Sequence, residues 1–370
     1  MIIKGGNVFY DNTRFETRDI YINDGVFANS GNGECINAEG MFVIPGLIDM
    51  HLHGSVGADA SEGEISQFEK MSDFLASKGV TGFCPTTMTL PIDVLKRAFC
   101  AADTFKKTQT HGSKLIGIHM EGPYFSMEKR GAQNPDYIKN PSIDEFKMLW
   151  DASNGIVAVA DVAPELENAP EYIEYVSTLT TVSIAHTSAN YESAKLALQK
   201  GATSATHLFN AMTPFTHRDP GVPGAVFESD SCYAELICDC IHIHPAIIKT
   251  VFKTMGDNRV CVISDALPCA GLPEGKYISG GLEVYLKDGC ARLENGTLAG
   301  SASTLFDNFK KVCNIVGIDS AVKACSANPA KNLGIYDKVG SITLGKFADF
   351  LILDKDLNLK YVFINGKQVL

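Results

Sequence analysis

The feature that most constrains the fold is an alternation between apolar, β-rich runs and segments with helical character. The β-rich runs lie at 43–48, 80–84, 115–118, 156–162, 181–185, 202–205, 234–241 and 259–263. Most of them are separated by helical segments at 64–78, 92–107, 143–150, 169–179, 191–200 and 245–255. Strand–helix alternation over roughly 220 residues is typical of a parallel (β/α)8 barrel of the TIM type, in which loops at the carboxyl ends of the strands build the active site. The sequence therefore predicts an α/β fold of this kind.

A doubly wound open sheet is the alternative fold for the same pattern. That fold requires a topological switch point, and its dinucleotide-binding members carry a GxGxxG motif after the first strand. The chain has no such motif at that position. The barrel is therefore the preferred prediction.

The two ends of the chain differ from the middle. Residues 20–27 form a short alternating strand that enters an Asp-Gly turn, and residues 349–353 and 361–366 repeat this style. These patterns predict a small β-sandwich domain built from 1–44 plus 337–370, beside a barrel domain of 45–336. Its expected role is structural, closing the barrel and supporting a dimer.

The net charge argues against nucleic-acid and membrane partners, and the cysteine pattern argues against a disulfide-stabilised protein. The 370-residue chain has a formal net charge of -11, whereas proteins that bind nucleic acids or anionic membranes present a basic face. Its 11 cysteines contain no CxxC pair, and this odd number suits reduced thiols better than a disulfide framework. The chain has no leader-like start and no apolar run of about 18 residues. We therefore expect a cytoplasmic protein without nucleic-acid or membrane partners.

Imidazole and carboxylate side chains occur where several of the β-rich runs end. Glu121 follows the run at 115–118, and other runs end near His51, His53, His186 and His207. Taken singly, each has an ordinary explanation, because a histidine can be a hydrogen-bonded rim residue and a glutamate can lie in a surface loop. Together they form the ligand set that zinc or iron prefers, and a cation would offset the cost of a carboxylate at the end of an apolar strand. The sequence therefore predicts a metal site at the barrel mouth.

Longer motifs resemble the amidohydrolase superfamily. They are Pro-Gly-x-Ile-Asp-x-His-x-His-Gly at 45–54 and Gly-Ser-Ile…Gly-Lys…Ala-Asp at 340–349, together with the sandwich from both ends. A further ordered set is similar to the N-acetylglucosamine-6-phosphate deacetylase family within that superfamily. It comprises 117–123, 129–135, 206–212, 218–221, 264–266 and 296–301. The match covers nearly the whole chain in the same order.

The resemblance implies metal-dependent hydrolysis of the acetamide of N-acetylglucosamine 6-phosphate to glucosamine 6-phosphate and acetate, in amino-sugar catabolism. An amidohydrolase that acts on another N-acyl amino-sugar phosphate or on a cyclic amide is the alternative. A noncatalytic scaffold is a remote alternative, because it predicts broken metal ligands.

The resemblance also assigns roles to the residues at the strand ends. Glu121, His186 and His207 would hold a divalent metal, zinc or iron. His51 and His53 would hold a second ion, which some family members bind and others have lost. Asp265 would be the general acid/base, with a role as a further metal ligand as the alternative. His119 shares a strand face with Glu121 and is expected next to the ligands rather than among them.

The residues that the resemblance places against the sugar phosphate come from several loops. They are Ala132, Gln133, Asn210, Ala211, Arg218, His242, Leu298, Ala299 and Gly300. The planar guanidinium of Arg218 suits the phosphate. A homodimer is implied, with some substrate contacts crossing its interface. Two positions depart from the family pattern, because Gln133 replaces a histidine that polarises the substrate carbonyl in some members and Cys240 replaces a glycine.

Overall fold

A computed structural model describes all residues, 1–370, and contains a parallel eight-stranded barrel. Its strands pair in chain order: Leu47–Leu52, Val80–Thr87, Ile118–Met120, Val157–Val162, Thr181–Ile184, Ser204–Ala205, Tyr233–Ile237 and Val260–Ile263. The backbone N–H of Asp265 donates to the carbonyl of His51 at 2.9 Å, which links the end of the eighth strand to the first. The predicted (β/α)8 fold is confirmed.

Helices surround the barrel and bury their apolar faces against it, in a core of 67 buried hydrophobic residues. They are Ile65–Ser77, Ile92–Thr108, Ile143–Ala152, Ala169–Val176, Tyr191–Gln199, Gly221–Glu228, Pro245–Met255 and Leu305–Val316, followed by Ile318–Val322, the π-helical turn Lys323–Ala327 and Asn328–Asn332. A short 3-10 helix spans Pro135–Tyr137. None of these helices combines the length and the apolar composition that a bilayer-crossing segment requires.

Both ends of the chain join one eight-stranded sheet. Its strands are Ile2–Tyr10, Arg14–Asn23, Val26–Ala28, Cys35–Asn37, Phe42–Pro45, Phe350–Leu353, Leu359–Ile364 and Lys367–Gln368. The carboxyl-terminal strand Phe350–Leu353 pairs antiparallel with Phe42–Pro45, and the parallel rings of Phe350 and Phe363 lie 4.4 Å apart in a small separate core. We keep 1–44 plus 337–370 and 45–336 as the proposed division into domains.

The predicted strand at 43–48 is wrong in its limits, because Gly46 divides it between the terminal sheet and the barrel. A Cβ at Gly46 would lie 2.2 Å from the Oγ1 of Thr81, so only glycine allows the chain to pass this close to the second barrel strand. The first barrel strand therefore runs further, to Leu52, and delivers His51 to the barrel mouth.

An antiparallel sheet that was not predicted from the sequence follows the eighth barrel strand. Its strands are Gly275–Ser279, Leu282–Lys287, Cys290–Arg292 and Leu298–Ser301. The last strand returns to the barrel, where the backbone N–H of Ser301 donates to the carbonyl of Asp265 at 2.8 Å. This sheet therefore brings residues 298–300 to the mouth of the barrel. A two-stranded sheet, Gly54–Ser55 with Ala58–Asp59, follows the first strand.

Candidate metal centre and active site

A cavity of about 470 Å³ opens at the carboxyl ends of the barrel strands. Most of the predicted site residues line it: His53, Glu121, Ala132, Gln133, His186, His207, Asn210, Ala211, His242, Asp265, Leu298, Ala299 and Gly300. His51 is fully buried and does not line the cavity, although it lies close to Glu121 and Asp265. Arg218 is exposed on the loop before helix Gly221–Glu228 and does not line the cavity of a single chain.

Glu121, His186 and His207 converge on one point. The Oε1 atom of Glu121 lies 3.1 Å from the Nε2 atoms of both histidines, and these two nitrogens lie 3.1 Å from each other. Ligand atoms bound at 2.0–2.1 Å to a tetrahedral ion are separated by about 3.3 Å, so the observed spacing fits a shared cation. The three side chains therefore satisfy the geometry of a divalent metal site.

A second group lies on the other side of Glu121. The Nε2 atom of His53 is 3.3 Å from Glu121 Oε2 and 3.3 Å from Asp265 Oδ1. The Nε2 atom of His51 is 3.7 Å from Glu121 Oε1 and 3.6 Å from Asp265 Oδ1, without any hydrogen-bond partner. Ligand atoms of His51, His53 and Glu121 are close enough to share an ion. Glu121 thus faces both groups.

Among the four candidate ligand histidines, three contact a hydrogen-bond acceptor through Nδ1, the ring nitrogen that does not face Glu121. Nδ1 of His51 lies 2.9 Å from Glu235 Oε2, Nδ1 of His53 lies 3.2 Å from the carbonyl of Thr86, and Nδ1 of His186 lies 2.9 Å from that of Lys129. A neutral histidine that donates from Nδ1 presents an unprotonated Nε2, which is the form that binds a metal. The surrounding barrel therefore orients the candidate ligands.

Left-handed backbone conformations mark the strand ends of the site. His186, His207 and Asp265 have φ values of 43, 34 and 49°. Such conformations cost on the order of 1–3 kcal/mol each at non-glycine residues and persist where surrounding contacts over-determine them. The turns that aim these side chains into the cavity are therefore strained, as is common at functional sites.

The electrostatics of the site couple Glu121 to its histidines. Burial alone would raise the pKa of Glu121, but the charge of His53 and the hydrogen bonds from His186 and His207 hold it well below its usual value. Burial opposes the charged form of His207, yet the hydrogen bond and charge of Glu121 raise its pKa to about 9. The carboxylate therefore stays ionised, and a bound metal must displace protons from the imidazoles.

His119 lies beneath the site and is not a ligand. Its Nδ1 lies 3.0 Å from the carbonyl of Met50 and its Nε2 lies 3.0 Å from Asp161 Oδ1, so both nitrogens donate. Burial disfavours its charge, but Asp161 and Glu235 outweigh burial and raise its pKa to about 10. Burial and the neighbouring charge of His119 lower the pKa of His51 well below its usual value. His51 therefore stays neutral, as a metal ligand must.

Two further positions in the cavity have defined partners. Gln133 donates from Nε2 to Glu121 Oε2 at 2.6 Å and accepts at Oε1 from the backbone N–H of Thr89 at 2.7 Å. The amide of Gln133 is thus engaged with the metal-site carboxylate. His242 lies 2.7 Å from Asp239 Oδ2 through Nδ1. Cys240 does not line the cavity.

Two cationic side chains at the cavity have no predicted role. Lys129 and Arg292 both line it, and Arg292 donates to the carbonyl of Gly296 at 2.8 Å. Arg292 belongs to the unpredicted antiparallel sheet, so nothing in its local sequence placed it near the barrel. Lys129 lies in the segment 129–135 that is similar to the deacetylase family, but the resemblance assigns it no role.

The amidohydrolase family model matches residues 42–369. The N-acetylglucosamine-6-phosphate deacetylase of Bacillus subtilis is 35% identical over 331 residues, 88% of this chain and 83% of that protein. The N-acetylgalactosamine-6-phosphate deacetylase of Escherichia coli O157:H7 is 30% identical, over 87% of this chain and 86% of that protein.

Solved structures agree with this relationship. A mutant N-acetyl-D-glucosamine-6-phosphate deacetylase of Mycobacterium smegmatis, in complex with N-acetyl-D-glucosamine-6-phosphate, superposes with a TM-score of 0.94 at 28% identity and covers 100% of this chain and 99% of its own. The N-acetylglucosamine-6-phosphate deacetylase from Thermotoga maritima superposes with a TM-score of 0.90 at 32% identity. The alignment covers 100% of this chain and 99% of that protein. The chain belongs to the amidohydrolase family, in the branch that contains the N-acetylglucosamine-6-phosphate deacetylases.

Proposed function

We propose that the chain hydrolyses the acetamide of N-acetylglucosamine 6-phosphate, giving glucosamine 6-phosphate and acetate. The observation that carries this proposal is the convergence of Glu121, His186 and His207 at one point, with Asp265 beside them in the same cavity. This combination supplies a metal site and a proton acceptor, which are the two requirements for hydrolysing an unactivated amide at neutral pH.

Glu121, His186 and His207 would hold the catalytic divalent ion, and zinc or iron suits this mixture of nitrogen and oxygen ligands. His51 and His53, together with Glu121, would hold a second ion. When bound at such a site, a divalent cation would lower the pKa of a coordinated water to about 7 and polarise a carbonyl oxygen.

Asp265 moves the proton. Its carboxylate takes the proton of the attacking water and delivers it to the sugar nitrogen as the C–N bond breaks, so the products are acetate and a free amine. General acid/base help of this kind contributes typically about 10²–10⁴-fold. The backbone of Asp265 is held at both its N–H and its carbonyl, which keeps the carboxylate in place.

The phosphate requires cationic and hydrogen-bond-donating side chains along the cavity. Lys129, Arg292 and His242 of the same chain line this space. Arg218 lies outside the cavity of its own chain, so we propose that it reaches the phosphate bound to a second copy in a homodimer. Ala132, Asn210, Ala211 and the turn 298–300 shape the sugar pocket.

Arg218→Ala is expected to raise KM for N-acetylglucosamine 6-phosphate about 10–100-fold with little change in kcat, since a hydrogen bond to a charged group is worth about 1.5–3 kcal/mol. KM for unphosphorylated N-acetylglucosamine should not change. Steady-state kinetics on both sugars measures this difference, with Arg97→Ala, an exposed arginine on helix Ile92–Thr108, as the matched control. Equal effects of Arg218→Ala on both sugars would remove its phosphate role.

The galacto epimer is the second candidate substrate, because the relative from Escherichia coli O157:H7 is named for it. Comparing kcat/KM for the two 6-phosphorylated epimers under identical metal loading decides between them. The gluco assignment predicts the higher value for N-acetylglucosamine 6-phosphate, and the opposite ranking would reassign the substrate.

A further inference from the structure

We propose that Glu235 is a positioning residue that prepares His51 to bind the second divalent cation. Glu235 lies in the seventh barrel strand, Tyr233–Ile237, and is fully buried. The inference rests on the proposed metal-dependent function, which gives His51 its role. It adds a residue that lies beneath the site and outside the substrate cavity.

The side chain of Glu235 has a single hydrogen-bond partner. Its Oε2 lies 2.9 Å from His51 Nδ1, and its Oε1 has no hydrogen-bond partner. No lysine or arginine lies within ion-pair distance of this carboxylate, whose only titratable neighbours at such distances are His51 and His119. Burying a carboxylate with so few partners is costly. The contact with His51 is therefore the interaction that offsets the cost of burying Glu235.

His119 is not an equivalent partner for Glu235. Its Nδ1 is 3.8 Å from Glu235 Oε1, beyond hydrogen-bond distance, and both of its nitrogens already lie against closer acceptors. Because both nitrogens donate, His119 has no lone pair to offer. A metal shared by His51, His119 and Glu235 is thus excluded, although their atoms lie close together.

The contact with Glu235 determines which nitrogen of His51 is unprotonated. When Nδ1–H donates to Glu235, Nε2 presents its lone pair, and this atom lies between Glu121 and Asp265 without a hydrogen-bond partner. A buried polar atom of this kind needs a further partner, and a cation held by His51, His53 and Glu121 would supply one. Losing a carboxylate that supports a metal-binding histidine typically costs about 10–100-fold in metal affinity.

Zinc titration of the chelated protein tests the inference. The unmutated protein is expected to bind two equivalents, and Glu235→Gln is expected to weaken the second by about 10–100-fold while leaving the first unchanged. In a His51→Asn background, Glu235→Gln should have no further effect on zinc affinity. The melting temperature of each metal-free variant shows whether the fold is retained.

Three outcomes would overturn the inference. Glu235→Gln could bind both zinc equivalents with unchanged affinity, or it could weaken zinc binding just as much in the His51→Asn background. The unmutated protein could also bind only one equivalent of zinc. If Glu235→Gln does not fold, NMR replaces the titration. ¹⁵N–¹H spectra are recorded on unmutated protein with labelled histidines, and the signal that disappears in His51→Asn is assigned to His51. They should show the metal-free His51 protonated at Nδ1, and protonation at Nε2 would contradict the proposal. Acetate release by the unmutated protein, measured separately, distinguishes failure of this inference from failure of the proposed reaction.

Discussion

Asp265→Asn is expected to lower turnover about 10²–10⁴-fold, because the amide has the shape of the carboxylate but cannot accept the proton of the attacking water. The change should leave the backbone of residue 265 in place, since its N–H bonds to the carbonyl of His51 and its carbonyl to the N–H of Ser301. Metal content should remain at the level of the unmutated protein. The measurement is kcat with metal analysis on the same samples.

Asp103→Asn is the matched control, because Asp103 is buried to a similar degree but pairs with Lys107 and Asn154, away from the cavity. It should retain turnover. If Asp265→Asn kept most of its activity, the proton-transfer role would be wrong. Loss of metal together with activity would instead identify Asp265 as a metal ligand.

Glu121→Gln is expected to abolish tight metal binding and to lower turnover by more than about 10³-fold, because the water-activating cation is lost. Glu121 is the one side chain that contacts both histidine groups, through Oε1 toward His186 and His207 and through Oε2 toward His53. An amide would remove the negative charge from the centre of these imidazoles. Metal analysis, zinc affinity and kcat measure the change.

Glu145→Gln is the control for that substitution, since Glu145 pairs with Lys139 and lies outside the cavity. It should keep its metal and its turnover. A Glu121→Gln protein with full metal content and full activity would contradict the assignment of the metal centre. A protein that kept its metal but lost turnover would leave the ligand role in doubt and point to a different function for the carboxylate.

The barrel and most of the cavity could be predicted from the sequence because their signals are local. An apolar run followed by a histidine or glutamate identifies a strand end, and parallel strands deliver their carboxyl ends to one face. Glu121, His186 and His207 were each found in this way, and the structure brings them within 3.1 Å of one another. Their predicted roles as ligands remain proposals that the substitutions above test.

The parts of the cavity that could not be predicted depend on contacts between segments that are distant in the sequence. The antiparallel sheet from Gly275 to Ser301 has short, half-exposed strands without a continuous apolar run, so its position over the barrel mouth and the placement of Arg292 were not predictable. Arg218 has the right chemistry for a phosphate, yet local sequence carries no information on which chain's cavity it reaches.

Glu235 left a signal that the sequence analysis did not use. It is a carboxylate inside the apolar run 234–241, directly before Leu236 and Ile237, where a charged side chain is costly unless it has a specific partner. The same reasoning drew attention to Glu121. A buried acidic side chain within a predicted barrel strand therefore indicates a contact with the site even when it is not a ligand itself.

The most direct test of the account is acetate release from N-acetylglucosamine 6-phosphate by chelated protein before and after zinc is restored. The account predicts no release without metal and, after reloading, equal amounts of acetate and glucosamine 6-phosphate. Protein that binds zinc at the Glu121 site but releases neither product would contradict the proposed reaction, and release that persists in fully chelated protein would contradict its dependence on metal.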